Sequence, residues 1–145
     1  MNQEEISEKL ASATKGATYQ GSLTPFVAQS IEKAKSNYPV TNLLNYCKDM
    51  NLKMVMVDMA TEDKFYPQSV LEVHKILGLL MDRYNVDPNL VYRKTAIHYT
   101  PPKSFDESEL EKMQSAGKRF LTPLSIKTLL AVCDVIHCDF LFEPK

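Results

Sequence analysis

Two stretches of this chain, TNLLNYCKDMNLKMVM (41–56) and KTLLAVCDVIHCDFLF (127–142), align with each other without a gap. Leu43, Leu44 and Cys47 fall on Leu129, Leu130 and Cys133, and Met50 falls on Ile136. In each stretch apolar residues recur at helical spacing, then give way to a short apolar tail of β character. A helix running into a strand, repeated in the same order about 86 residues later, makes two half-repeats the framework of the fold. In the first copy the strand covers 52–58, with Leu52, Met54 and Met56 on one side and Lys53, Val55 and Val57 on the other. Its backbone groups require a partner strand. The candidates are the tail 140–142 or the same strand in a second copy of the chain.

The rest of the sequence reads as helices. Asn2 caps a first helix through Ile6 and Leu10, with Glu5 three residues on as in a capping box. KGATYQGS (15–22) has two glycines and no helical period, which predicts a loop. Thr24 as N-cap and Pro25 at the first helical position open a second helix, expected to reach about residue 36. A third covers 41–50, a strong amphipathic helix 68–85, and Asp87-Pro88 opens a short one through Thr95. A polar helix is expected over FDESELEKMQSAGKRF (105–120), and a last one over 125–138. The short patch TEDKFYP (61–67) reads as polar connection.

The chain has 145 residues, the size of one ordinary domain or two small ones. Hydrophobic residues make up 44% and charged residues 24%, a composition that excludes disorder as the dominant state. Seventeen Lys and Arg against eighteen Asp and Glu exclude a uniformly basic surface, so any basic patch is local. The apolar runs LGLLM and MVMVDM fall far short of the ~20 residues that span a bilayer, and no membrane partner is expected. With an odd count of three cysteines and no secretory pattern at the start, a reduced, cytoplasmic protein is expected.

Three segments together carry a resemblance: NQEEISEKL (2–10), IEKAKSN (31–37) and TNLLNYCKDMNL (41–52). They resemble the helix-turn-helix domain of the XRE, or phage Cro/repressor, family. Gln3, Glu5, Ile6 and Leu10 match its helix before the recognition helix. Ile31, Glu32 and Lys35 match the turn that ends the recognition helix, and Leu43 and Leu44 match the helix that follows. The continuation LKMVMVD resembles HipB-type antitoxin repressors, whose strand pairs across a dimer. The likeness covers roughly 2–58 with gaps, and 69–143 more weakly through VYRKTAI (91–97) and SIKTLLAVCDVIH. The departures are a missing first helix, a connection stretched to about ten residues by KGATYQGS, and Ala34 in place of the turn's glycine. Helix 68–85 is the expected substitute for the missing first helix.

The resemblance implies a mainly α, lambda-repressor-like helix-turn-helix fold with a short β-strand, in units 1–60 and 61–145 that share one core or stand apart. It implies a DNA-binding transcriptional regulator acting as a homodimer, with helix 24–36 in the major groove of double-stranded DNA. Thr24, Phe26, Val27, Gln29 and Ser30 would face the bases; Gln29 suits adenine, and Phe26 or Val27 a thymine methyl. Lys15, Lys33 and Lys35, with the helix start near Gln3, would hold phosphates. Leu52, Met54 and Met56 would form the dimer contact. In the second copy Asp106, Glu107, Glu109 and Glu111 would repel phosphate, leaving Arg93, Lys94, Lys118 and Arg119 as weaker ligands. The alternative is a protein-interaction module, or an antitoxin-type adaptor with a toxin-like partner, that has lost most DNA contact.

Other chemistry is poorly served. Cys133, His137 and Cys138 have ligand-like spacing, but a tetrahedral site needs a fourth ligand and no Cys-x-x-Cys occurs, so no metal is expected. The same cysteine and histidine lack the orienting group and oxyanion device of a nucleophilic pair. The methionines at 50, 54, 56 and 59 read as core filling. Four scattered glycines cannot cradle a nucleotide, so neither a cofactor nor an enzyme is expected.

Overall fold

A computed structural model of the protein describes residues 1–102 and 124–145. Its described elements are six helices and a three-stranded antiparallel sheet. The expected polar helix 105–120, with its four carboxylates, Lys118 and Arg119, lies outside the described residues.

The helix starts follow the local chemistry of the chain. In α1 (Gln3–Thr14) the Asn2 side chain accepts from the Glu5 N–H at 2.9 Å. In α2 (Pro25–Lys33) Thr24 accepts from Val27 N–H, with proline in the first turn. α2 stops short of the expected end because Ala34 turns left-handed (φ 53°) and its N–H closes back on the Ser30 carbonyl. Such an exit is usually glycine's, and alanine takes it here. α3 (Val40–Asp49) leads through left-handed Asn51 into β1 (Leu52–Asp58), the strand whose limits the alternation marked. Lys64–Phe65, inside the patch read as polar connection, forms β2 against Met56 and Val57. Next come α4 (Val70–Arg83), capped by Ser69, and α5 (Pro88–Thr95), capped by Asp87. Then α6 (Ile126–Ile136), capped by Ser125, runs into β3 (Cys138–Pro144).

The partner of β1 is β3 of the same chain, in antiparallel register from Leu52–Pro144 to Asp58–Cys138. This corrects the expected dimer contact. One edge of β1 is filled by β3 and part of the other by β2. Leu52, Met54 and Met56 are at most 4% exposed, inside the chain's own core. Burial of these side chains already stabilises the monomer, so they are not available to a second copy.

The half-repeats are arranged about an internal two-fold axis. Val55 pairs with Leu141, an interval of 86 residues (55 to 141), so equivalent residues of the two copies face each other. Pro39 and Ser125, at the same interval, bridge in the same way: Val40 N–H donates to Leu124 O at 2.7 Å and Ile126 N–H to Tyr38 O at 2.8 Å. At the far end Met59 N–H donates to His137 O and Lys145 N–H to Asn51 O, again a reciprocal pair. Asn51 and His137, the equivalent helix-to-strand joints, share the left-handed conformation. Packing follows the axis around α3 and α6. α2 lies on α3 and α5 on α6; α1 lies against α6 and α4 against α3. Elsewhere the halves diverge, α1 packing on α2 and β3 and α4 on α6, so α4 answers α1 only in its contact with the helix of the other copy. Side chains from 1–60 and from 61–145 enter one core, among them Ile6, Leu43, Met56, Leu77, Leu129 and Phe140.

One buried polar cluster joins the halves of the sheet region to α4. Asp58, with no exposed surface, accepts from Arg83 Nη1 and Tyr84 OH, both at 2.6 Å, and from Ala60 N–H at 3.0 Å. Burial pushes its carboxyl upward, but the hydrogen bonds from Tyr84 and Arg83 outweigh this and hold it at about 2. Among the described residues no helix is long and apolar enough to cross a membrane.

Candidate nucleic-acid interface

Helix α2 is held at both ends and along one side. Ser7 Oγ donates to Ile31 O at 2.8 Å, and Gln3 Nε2 donates to Ser36 O at 2.8 Å. These bonds set α1 and α2 antiparallel, with the start of α1 beside the exit of α2. Upstream, the connection 15–24 is pinned to α3 rather than left as a slack loop. Tyr19 stacks on Tyr46 with ring centroids 4.9 Å apart, its hydroxyl donates to Asp49 Oδ2, and Leu23 N–H donates to the same hydroxyl at 3.0 Å. Ser22 N–H also reaches Asp49, at 3.3 Å. Gly21 runs so close to Tyr19 and Asp49 that a Cβ there has no room.

The face left over is narrow. Phe26 is 76% exposed, and Gln29, Glu32 and Lys33 are exposed beside it, while Ala28 and Ile31 are buried. Phe26, Gln29 and Lys33 recur at three- and four-residue steps, so they share one side of the helix. None of the three side chains has a hydrogen-bond partner among the described residues. Glu32 sits at the edge of this face beside Tyr46, whose hydroxyl pKa is raised by burial first and by Glu32 second.

Two of the expected base readers are turned away. Ser30 is 3% exposed; its hydroxyl donates to Phe26 O at 3.0 Å and accepts from Ser36 Oγ at 3.1 Å. The left-handed exit at Ala34 folds residues 35–36 back over that side of the helix, which helical spacing alone does not show. Val27 is half-buried against the core. Thr24 is exposed, but its hydroxyl accepts from Val27 N–H at the helix start. The Gln3 amide is likewise committed, to Ser36. Lys15, Lys33 and Lys35 are exposed, Lys15 at the end of α1 and Lys35 just past the end of α2. Because the helices are antiparallel, Lys15 and Lys35 stand toward opposite ends of α2.

In the second half α5 starts and ends as α2 does, although the 86-residue interval carries 25–33 onto 111–119, outside the described residues. Each is opened by a capping side chain followed by proline (Thr24-Pro25, Asp87-Pro88) and closed by a left-handed alanine (Ala34, Ala96). In each the residue three after the proline, Ala28 or Val91, is buried. Asn89, Tyr92, Arg93 and Lys94 of α5 are exposed, and Tyr92 stacks on His98 with centroids 4.1 Å apart.

The cysteines and histidines do not converge. Cys133 and Cys138 are buried, and His137 is exposed at the end of α6. Burial, then the Cys138 hydrogen bond, push the Cys133 thiol well above its usual range, which suits an inert core thiol. Among the described residues no three potential ligands cluster to hold a metal ion. No protein-family model, curated protein or solved structure matches this chain.

Proposed function

We propose that the protein is a DNA-binding regulator of helix-turn-helix type that reads duplex DNA through α2. The supporting observation is the contrast within that helix. Its ends and inner side are engaged, whereas Phe26, Gln29 and Lys33 project together without hydrogen-bond partners among the described residues. A rigidly held helix with an uncommitted amide, an aromatic and a cation on one side suits a major groove. Gln29 would pair with adenine through its amide, Phe26 would meet a thymine methyl, and Lys33 a phosphate. Lys15 and Lys35, toward the two ends, would add backbone contacts. With net charge −1 and only Lys15, Lys33 and Lys35 assigned to phosphate, the salt dependence of binding would be shallow.

Exposed Phe26 also favours a second reading, an adaptor whose α2 inserts this ring into a protein partner such as a toxin-like protein. One experiment separates the two. Full-length protein is used to select duplexes from a randomised pool, and binding of the enriched duplex is compared with Gln29→Ala and Lys33→Ala. A DNA reader enriches a sequence and loses about tenfold affinity with Gln29→Ala. No enrichment, with a stoichiometric protein retained through Phe26, supports the adaptor.

A further inference from the structure

We infer that the cleft between the end of α3, the start of β1 and residues 66–68 binds a small organic carboxylate with an apolar body. The site is separate from α2 and does not rest on the reading of that helix.

The cleft has a volume of about 540 Å³, a size typical of small-molecule sites. Leu44, Leu52 and Met54 give it a buried apolar floor, and Tyr66 and Pro67 stand at one wall. Three exposed lysines line it, Lys48, Lys53 and Lys145, and no acidic side chain does. Among the described residues none of these three ammonium groups forms an ion pair. The carboxylates round about are engaged elsewhere. Asp49 accepts from Tyr19 and from Ser22 N–H, and Glu72 accepts from Gln68 N–H. Glu143, in register with Lys53, pairs with Lys64 at 3.5 Å. Lys53 Nζ stands instead 5.9 Å from the centre of the Tyr66 ring. Burial pushes the Cys47 thiol up to about 12 against a downward pull from Lys145, so the lining carries no thiolate to compete for the lysines.

The second half-repeat shows what the same ground holds there. At the 86-residue interval Leu44, Lys48, Lys53 and Met54 fall on Leu130, Asp134, Asp139 and Phe140. Helix α1 packs on both α6 and β3 at these residues. The Met1 ammonium bonds Asp134 at 2.7 Å, and its side chain packs against the core. Lys9 Nζ reaches Asp139 at 3.4 Å and accepts company from Phe140 O, to which it donates at 2.7 Å. An apolar group with a cationic end therefore sits over a pair of carboxylates. In the first half-repeat the pair is Lys48 and Lys53, and the ground between α3 and β1 is the cleft. Reversing both charges reverses the charge of the occupant while the apolar floor is kept. Two ammonium groups beside an apolar floor match a carboxylate head on an apolar body.

The test uses the full chain with methyl-labelled methionine, followed by nuclear magnetic resonance at Met54 on the cleft floor. Phenylbutyrate is the probe, compared with phenylbutanamide, phenylbutylamine and inorganic phosphate. Phenylbutyrate should move the Met54 signal with a Kd of about 1 mM or tighter, and the other three should bind at least about tenfold more weakly. Lys48→Asp with Lys53→Asp installs the acid pair of the second half-repeat and should reverse the order, amine over butyrate. Lys48→Gln with Lys53→Gln should lose the butyrate without gaining the amine. Lys75→Asp with Lys127→Asp makes the same charge change at two other exposed lysines and should keep the wild-type order. Equal binding of the butyrate and its amide overturns the inference, because the cleft is then merely apolar. Equal binding of phosphate overturns it as well, because the lysines then act as plain surface cations. So does a Met54 signal that stays still up to about 10 mM probe, or an order of preference unchanged in both Lys48 and Lys53 double variants. No DNA enters these measurements, so their failure leaves the reading of α2 as it was.

Discussion

Val55 and Leu141 face each other across the two central strands, and each holds the same place in its own half-repeat. Neighbouring pairs inherit the symmetry: Met54 opposite Phe142 answers Met56 opposite Phe140. A sheet built this way ties the last residues of the chain to its middle, and the two halves should unfold together. Phe140 has no exposed surface in the shared core. Phe140→Ala is therefore expected to cost about 3 kcal/mol. Urea unfolding followed by far-ultraviolet circular dichroism and by tyrosine fluorescence should show one coincident transition, shifted as a whole. Two separated transitions, only one of them shifted, would mean the halves are independent units.

How much of this was legible in one dimension depended on how local the cause was. Caps and prolines act within a turn, so the starts of α1, α2, α5 and α6 and both limits of β1 could be read from residues nearby. The 86-residue likeness disclosed a duplication, yet not that its copies would pair with each other rather than with a second molecule. That choice depends on chain reach and on the bridge between Pro39 and Ser125. Ser30 shows the limit at the candidate site. Its position on the helix suggested an outward hydroxyl, but the turn at Ala34 brings Ser36 back onto it. β2 was missed for a similar reason, since two residues are too few to show alternation.

Asp58 gives the fold an acid-sensitive element. Its carboxyl is held at about 2 in the folded chain, below its ordinary value of 3.8, by the hydrogen bonds from Tyr84 and Arg83. A carboxyl with a depressed folded pKa contributes stability that is fully present above 3.8 and is lost as pH falls toward 2. Thermal unfolding measured between pH 5 and about 2 should show this loss. In Asp58→Asn the slope across that window flattens, at the cost of lower stability at neutral pH. Arg83→Ala removes one of the bonds that hold the carboxylate and should move acid unfolding to higher pH. An unchanged acid midpoint in Arg83→Ala would show that Tyr84 and Ala60 suffice.

The connection between α1 and α2 is ordered by a single carboxylate, Asp49, acting with Tyr19. Gly21→Ala forces these two groups apart and should destabilise the protein by about 1–2 kcal/mol. The denaturation midpoint falls while the slope is retained. Trypsin should also cut after Lys15 faster in this variant, because the backbone beyond it loses its attachment to α3. Equal cleavage rates in variant and wild type would place the anchor elsewhere.

Gln29 and Ser30 are adjacent, yet their substitutions should act on different properties. Ser30→Ala removes a buried hydroxyl that bonds Phe26 O and Ser36 Oγ, for an expected cost of about 1 kcal/mol. Gln29 has no hydrogen-bond partner among the described residues, so Gln29→Ala should change thermal stability by no more than about 0.5 kcal/mol. On an enriched duplex the order reverses. Gln29→Ala weakens binding about tenfold and relaxes the preference at one base pair, whereas Ser30→Ala binds with near wild-type specificity. Lys33→Ala weakens all duplexes alike and lowers the salt slope by about 1. Thermal melts and salt-dependent titrations of the three variants measure both properties. If Ser30→Ala alters base preference as Gln29→Ala does, the side of α2 that meets DNA is not the one carrying Phe26, Gln29 and Lys33.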